Sequence, residues 1–91
     1  MTLYHCRMPA TWTPLQAPIN ADTMLLLTDA SVLVHAANDR VWMRLTPDAA
    51  GRYDTGQWSG PFNMAHSREF FASGVLKDGR VYVIGGEYSD D

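Results

Sequence analysis

Three histidines, a single cysteine and ten carboxylates are the groups with which this chain could do chemistry. His5-Cys6 suggests a metal or nucleophile pair, but neighbours in an extended segment point to opposite faces. Nor do two further ligands stand nearby at the spacing a Cys/His site needs. The pair reads instead as an N-terminal strand or loose end. His35 lies in an apolar run, where a histidine is expected to be buried, neutral and hydrogen-bonded, with protonation loosening the fold at low pH. His66, Arg68 and Glu69 share one turn, either facing a ligand or forming a structural ion pair and hydrogen-bond set. The aspartates Asp29, Asp39, Asp48, Asp54 and Asp78 lack the alternating oxygens of a calcium loop. Their places suit turns, in which Asp bonds its own backbone. No serine stands in a Gly-x-Ser-x-Gly elbow, and Gly85-Gly86-Glu87 lacks the frame of a phosphate loop. No catalytic residue, metal ligand or cofactor site is therefore expected.

Composition narrows the classes further. The chain has 91 residues, 46% hydrophobic and 19% charged, with a net charge of −3. That suits one small folded domain, burying roughly two thirds of its unfolded surface. No basic face is visible for nucleic acid. No window approaches the ~20 apolar residues of a membrane span, and the N-terminus has no secretory pattern. The compartment stays open, leaning towards the cytoplasm. A lone Cys6 rules out an intrachain disulfide, so a domain this small needs another source of burial, such as association.

The elements that must position these groups are strands. Met24–Leu27, Ser31–Val34, Val41–Leu45, Gln57–Ser59, Ala72–Leu76 and Arg80–Ile84 are short apolar runs separated by Asp, Gly, Pro and Asn. No stretch sustains a helical period. Asp78-Gly79 between two apolar runs signals a hairpin. Asp29-Ala30 occupies the same place but lacks the glycine, predicting a strained turn or one of another type. Both second strands are apolar on both faces, which predicts cover on both sides.

The two hairpins are copies. Subtracting 49 carries Leu76 to Leu27, Asp78 to Asp29, Val81 to Val32, Val83 to Val34 and Gly85-Gly86 to Ala36-Ala37. A period in the forties belongs to propellers and arrays.

In this order of motifs the sequence resembles the kelch repeat, particularly that of galactose-oxidase-like β-propellers. Gly85-Gly86 matches the double glycine, Tyr53-Asp54 with Trp58 the tyrosine and tryptophan that follow it, and Met64 with Arg68 the residues preceding the next blade. The resemblance implies an all-β fold of four-stranded antiparallel blades. Residues 12–15 would be the outer strand of a preceding blade, 24–60 a complete blade and 68–88 the first half of the next. It implies that Trp58 packs between blades and that Arg68 bridges loops. The family's copper oxidases carry a ligating tyrosine just after this arginine. Here the sequence reads Arg68-Glu69-Phe70-Phe71, and phenylalanine has no oxygen for copper.

The expected function is therefore a non-catalytic binding or scaffolding module. The alternative is the propeller portion of a copper-dependent carbohydrate or alcohol oxidase whose catalytic residues lie elsewhere. Its presenting surface would be loop residues Asn38, Asp39, His66, Arg68 and Glu87. Closed propellers usually have four or more blades. The missing cover comes from the rest of a longer propeller, the favoured reading, or from copies of the chain as a homo-oligomer. A protein or carbohydrate partner would fit, with neither nucleic acid nor membrane expected.

Overall fold

The computed structural model describes residues 12–87. They form six strands and no helix: β1 (Ala21–Leu26), β2 (Val32–Ala36), β3 (Val41–Thr46), β4 (Gln57–Asn63), β5 (Ala72–Val75) and β6 (Val81–Ile84). Among these residues no helix is long and apolar enough to cross a membrane. The fold is all-β. Strands β1 to β4 make one antiparallel sheet in chain order, and β5 with β6 make a second. The described residues close no ring of blades.

The repeat in the sequence is also a repeat of register. In the first hairpin Leu26 faces Val32, Leu25 faces Leu33, Met24 faces Val34 and Thr23 faces His35. In the second, Val75 faces Val81, Gly74 faces Tyr82, Ser73 faces Val83 and Ala72 faces Ile84. Every pair is displaced by the same 49 residues. The turns agree as well. Ala30 N–H donates to the Leu27 carbonyl and Leu27 N–H to the Ser31 carbonyl, as Gly79 does to Leu76 and Leu76 to Arg80. This is the three-residue loop whose last residue is left-handed. The first turn is thus of the same type and not another one. Ala30 takes φ 73° where Gly79 takes 92°, so strain is the part of the expectation that holds.

Ala30 is held in that conformation from outside. Asp29 Oδ1 accepts from Ser31 N–H at 3.0 Å and from the Ser31 hydroxyl at 2.5 Å. Arg44 donates to Ser31 Oγ at 2.9 Å and to Asp29 Oδ2. The Tyr53 hydroxyl donates to the Ala30 carbonyl at 2.7 Å. Asp48 plays the same part in the β3–β4 loop, accepting from the amides of Ala50 and Arg52 at 2.9 Å each. Turn chemistry accounts for these carboxylates.

Alternation divides each hairpin into two faces. On the first sheet, Met24, Leu26, Val32, Val34, Leu45 and Trp58 share one face by cross-strand pairing, and Thr23, Leu25, Leu33, His35 and Trp42 share the other. The second hairpin stacks on the His35–Trp42 face. Phe71 lies edge-on to the His35 ring at 4.9 Å and tilted to Trp42 at 5.9 Å. The apolar core is small: Val34, Ala36, Trp42 and Leu45 are buried.

Several expectations are corrected. Trp12-Thr13-Pro14-Leu15 forms no strand, and Trp12 is 97% exposed; Pro14 has no amide for a ladder. Strand β4 runs on to Asn63, past Ser59, because it is an edge strand and tolerates Pro61. Gly60 and Pro61 lie across from Met43 where the ladder shifts register. Cover on both sides holds for Val34, His35 and Ala36 of β2 but fails for β6, whose Tyr82 and Ile84 are exposed. No third strand pairs with β6 among the described residues. In the first copy Ala36 simply extends β2, and the positive φ falls on Asn38; Gly85 and Gly86 both take positive φ.

Candidate functional site

The most chemically loaded place is the seam between the two sheets. Strand β1 carries one extra residue between the pairs Ala21–Ala36 and Thr23–His35. That bulge re-aims Asp22, which would otherwise point away from His35. His35 is fully buried, its Nδ1 lying 2.7 Å from Asp22 Oδ1 and its Nε2 2.8 Å from the Asp39 carbonyl oxygen. Trp42 and Phe71 flank the ring at 5.0 and 4.9 Å.

Both partners of the imidazole are acceptors. The expectation of a buried, hydrogen-bonded ring holds: both ring nitrogens face an oxygen within hydrogen-bond distance. Burial pushes the Asp22 carboxyl up. The bond and charge of His35, a bond with Glu69 and the Thr23 amide outweigh it and hold Asp22 below its ordinary value. Protonating Asp22 in acid removes these interactions.

Glu69 completes the clasp from the other side. It accepts the Asn38 N–H, and its backbone exchanges two hydrogen bonds with Glu87 at 2.9 and 2.8 Å. Arg68 donates from Nη1 to the Gly85 carbonyl at 2.7 Å and from its backbone to Asp39 at 3.4 Å. A side chain at Gly86 would put its Cβ 2.5 Å from the Glu69 carbonyl oxygen. The second glycine therefore lets the two segments approach.

Of the loop residues singled out in the sequence, Asn38, Asp39, Arg68 and Glu87 are thus drawn to one end of the seam. His66 stands two residues before Arg68, exposed, in the same connection. His5 and Cys6 lie outside the described residues. Sequence reasoning passed over Asp22 and the pivotal place of Glu69. Counting back from the first turn pairs His35 with Thr23, which puts Asp22 one bulge away; no such count reaches Glu69.

Asp22, His35 and Glu69 are also the described residues best placed to hold a metal, each offering one ligand atom within 4.8 Å of the others. One imidazole with two carboxylates suits a borderline divalent ion, and the Nε2 bond to a carbonyl is how a ligating histidine is usually oriented. The same atoms are already satisfied by one another. No buried side-chain polar atom among the described residues lacks a partner. The clasp also makes a poor catalytic dyad, because Nε2 is spent on Asp39 and no nitrogen is left to activate a nucleophile. What the arrangement does is join two sheets.

The opposite face of the first sheet carries an apolar groove of about 510 Å³. Trp12 and Leu15 form one wall, and Met24, Val34, Leu45 and Trp58 the other. Compared with known proteins, the chain matches no family model, no curated protein and no solved structure.

Proposed function

We propose that this chain is a non-catalytic kelch-type propeller module for binding or scaffolding, holding one blade and the first half of the next. The observation that carries the reading is the pair of hairpins with one register and one turn, 49 residues apart, stacked face to face. Two further features support it. Arg68 bridges to the double glycine at Gly85, as the kelch resemblance implies, and Trp58 stands on the outward apolar face of the first sheet. The non-catalytic part of the reading is supported by the chemistry of the seam, whose buried imidazole is committed at both nitrogens.

The loops at the Glu69 end present Asn38, Asp39, His66, Arg68 and Glu87 to a protein or carbohydrate, in a propeller completed by a longer chain or by further copies. The test is a set of genes joining residues 21–69 in tandem. Blades gain burial from their neighbours until the ring closes. Unfolding should therefore sharpen abruptly at one copy number. A stability that climbs smoothly with every added copy would point to an open solenoid instead.

A further inference from the structure

The stacking inside the chain half-buries two unlike faces against each other. The first hairpin contributes the face of Thr23, Leu25 and Leu33; the second contributes the face of Phe71, Ser73, Val75, Val81 and Val83. The other face of each hairpin is covered only in part; on the first, Val34 is buried in the groove walled by Trp12 and Leu15, while β1 stays open. On the first, Met24 is 68% and Leu26 65% exposed; on the second, Ile84 is 63% and Tyr82 40% exposed.

The register makes these outward faces copies of the buried ones. Met24 and Leu26 are the counterparts of Ser73 and Val75, and Tyr82 is the counterpart of Leu33. The exposed residues on these two faces along the strands are uncharged: Met24 and Leu26 on one, Ala72, Tyr82 and Ile84 on the other. Bringing them together desolvates no ion.

We propose that the chain associates head to tail with copies of itself, the Met24–Leu26 face of one copy seating on the Tyr82–Ile84 face of the next. This rests on the blade reading above. The occupant is argued from continuity: the contact repeats between chains the stacking already present within one. Contact between unlike faces is heterologous, so each copy both gives and receives, and the series ends only by closing into a ring or by running on. The groove beside Met24 receives the aromatic and branched side chains of the neighbour.

Two variants isolate the two faces. Met24→Lys with Leu26→Lys blocks one, and Ile84→Lys blocks the other; all three positions are largely exposed, so circular dichroism should remain that of the parent. In sedimentation at tens of micromolar, the parent chain runs above its single-chain mass of 10.1 kDa. Each variant alone falls to that mass. An equal mixture returns to twice it, because the intact face of one variant meets the intact face of the other.

A parent that sediments as one chain overturns the proposal, as does a mixture that stays at single-chain mass. A variant that remains associated alone points to like-with-like contact and overturns it too. Should the parent precipitate, the variants and their mixture still decide. None of these outcomes touches the tandem-gene test, where repeats are joined covalently and closure needs no second chain.

Discussion

The two hairpins are the same object with opposite faces covered. Strands β1 and β2 bury His35 on one side and Val34 on the other, leaving Met24 and Leu26 exposed; β5 and β6 half-bury Val81 and Val83 and expose Tyr82 and Ile84. Their support differs as well. The first turn is braced by Asp29, Ser31, Arg44 and Tyr53, contributed by its own turn and by the strand and loop that complete its sheet. The second turn has Asp78 bonded to Arg80 and a glycine at its left-handed position. A copy with neighbours tolerates a poor residue such as Ala30, whereas a copy without them depends on local chemistry.

The largest effect should come from the aromatic seam that joins the copies. Trp42→Ala empties a buried site and should cost about 3–5 kcal/mol, loosening both sheets. Phe71→Ala, at a half-buried position, should cost roughly 2 kcal/mol. Hydrogen exchange should place its faster amides in β5 and β6 alone. If Phe71→Ala instead speeds exchange throughout β2 and β3, the two hairpins are not the separable units described.

A smaller pair of effects should have opposite signs. Gly79→Ala imposes a side chain at φ 92° and sets its Cβ 2.9 Å from Thr28 Oγ1, so a loss of about 1–2 kcal/mol is expected. Ala30→Gly relieves the same strain at φ 73° and should gain about 0.5 kcal/mol in chemical denaturation. Equal signs for the two would mean that the turns are not equivalent.

Acid should have the mildest effect, and it should fall on the first sheet. Asp22, Asp29, Asp48 and Asp54 are all held below the ordinary value of 3.8. A lowered carboxyl stabilises fully above its unfolded value and loses that contribution as pH falls through the folded one. Thermal unfolding should therefore be flat in this respect above pH 4 and decline below about 3.8. Destabilisation already complete by pH 5 would show that these carboxylates are not the groups responsible.

Much of this architecture is legible in the chain. The apolar runs and their punctuation mark all four strands of the first sheet, and the displacement of 49 finds the second hairpin. Edges are less legible. Gly60-Pro61 reads as an end, yet an edge strand has a free side on which a missing amide costs little. Trp12-Thr13-Pro14-Leu15 alternates like a strand, but nothing in the residues themselves says whether a partner edge is available. The clasp was hidden for another reason. Asp22 reaches His35 only through a bulge, and Glu69 arrives from the connection before β5, so neither contact follows from periodicity.

The bulge at Asp22 exists in one copy only. At the positions 49 residues on, Asp22 and His35 become Phe71 and Ile84. The joint inside the chain therefore has a hydrogen-bonded polar cluster beside it, while a joint between chains would be made of oil alone. Apolar contact weakens on cooling, and hydrogen bonds do not share that dependence. Chilled, an assembly would come apart at its outer joints first, shedding chains whose own halves still held together.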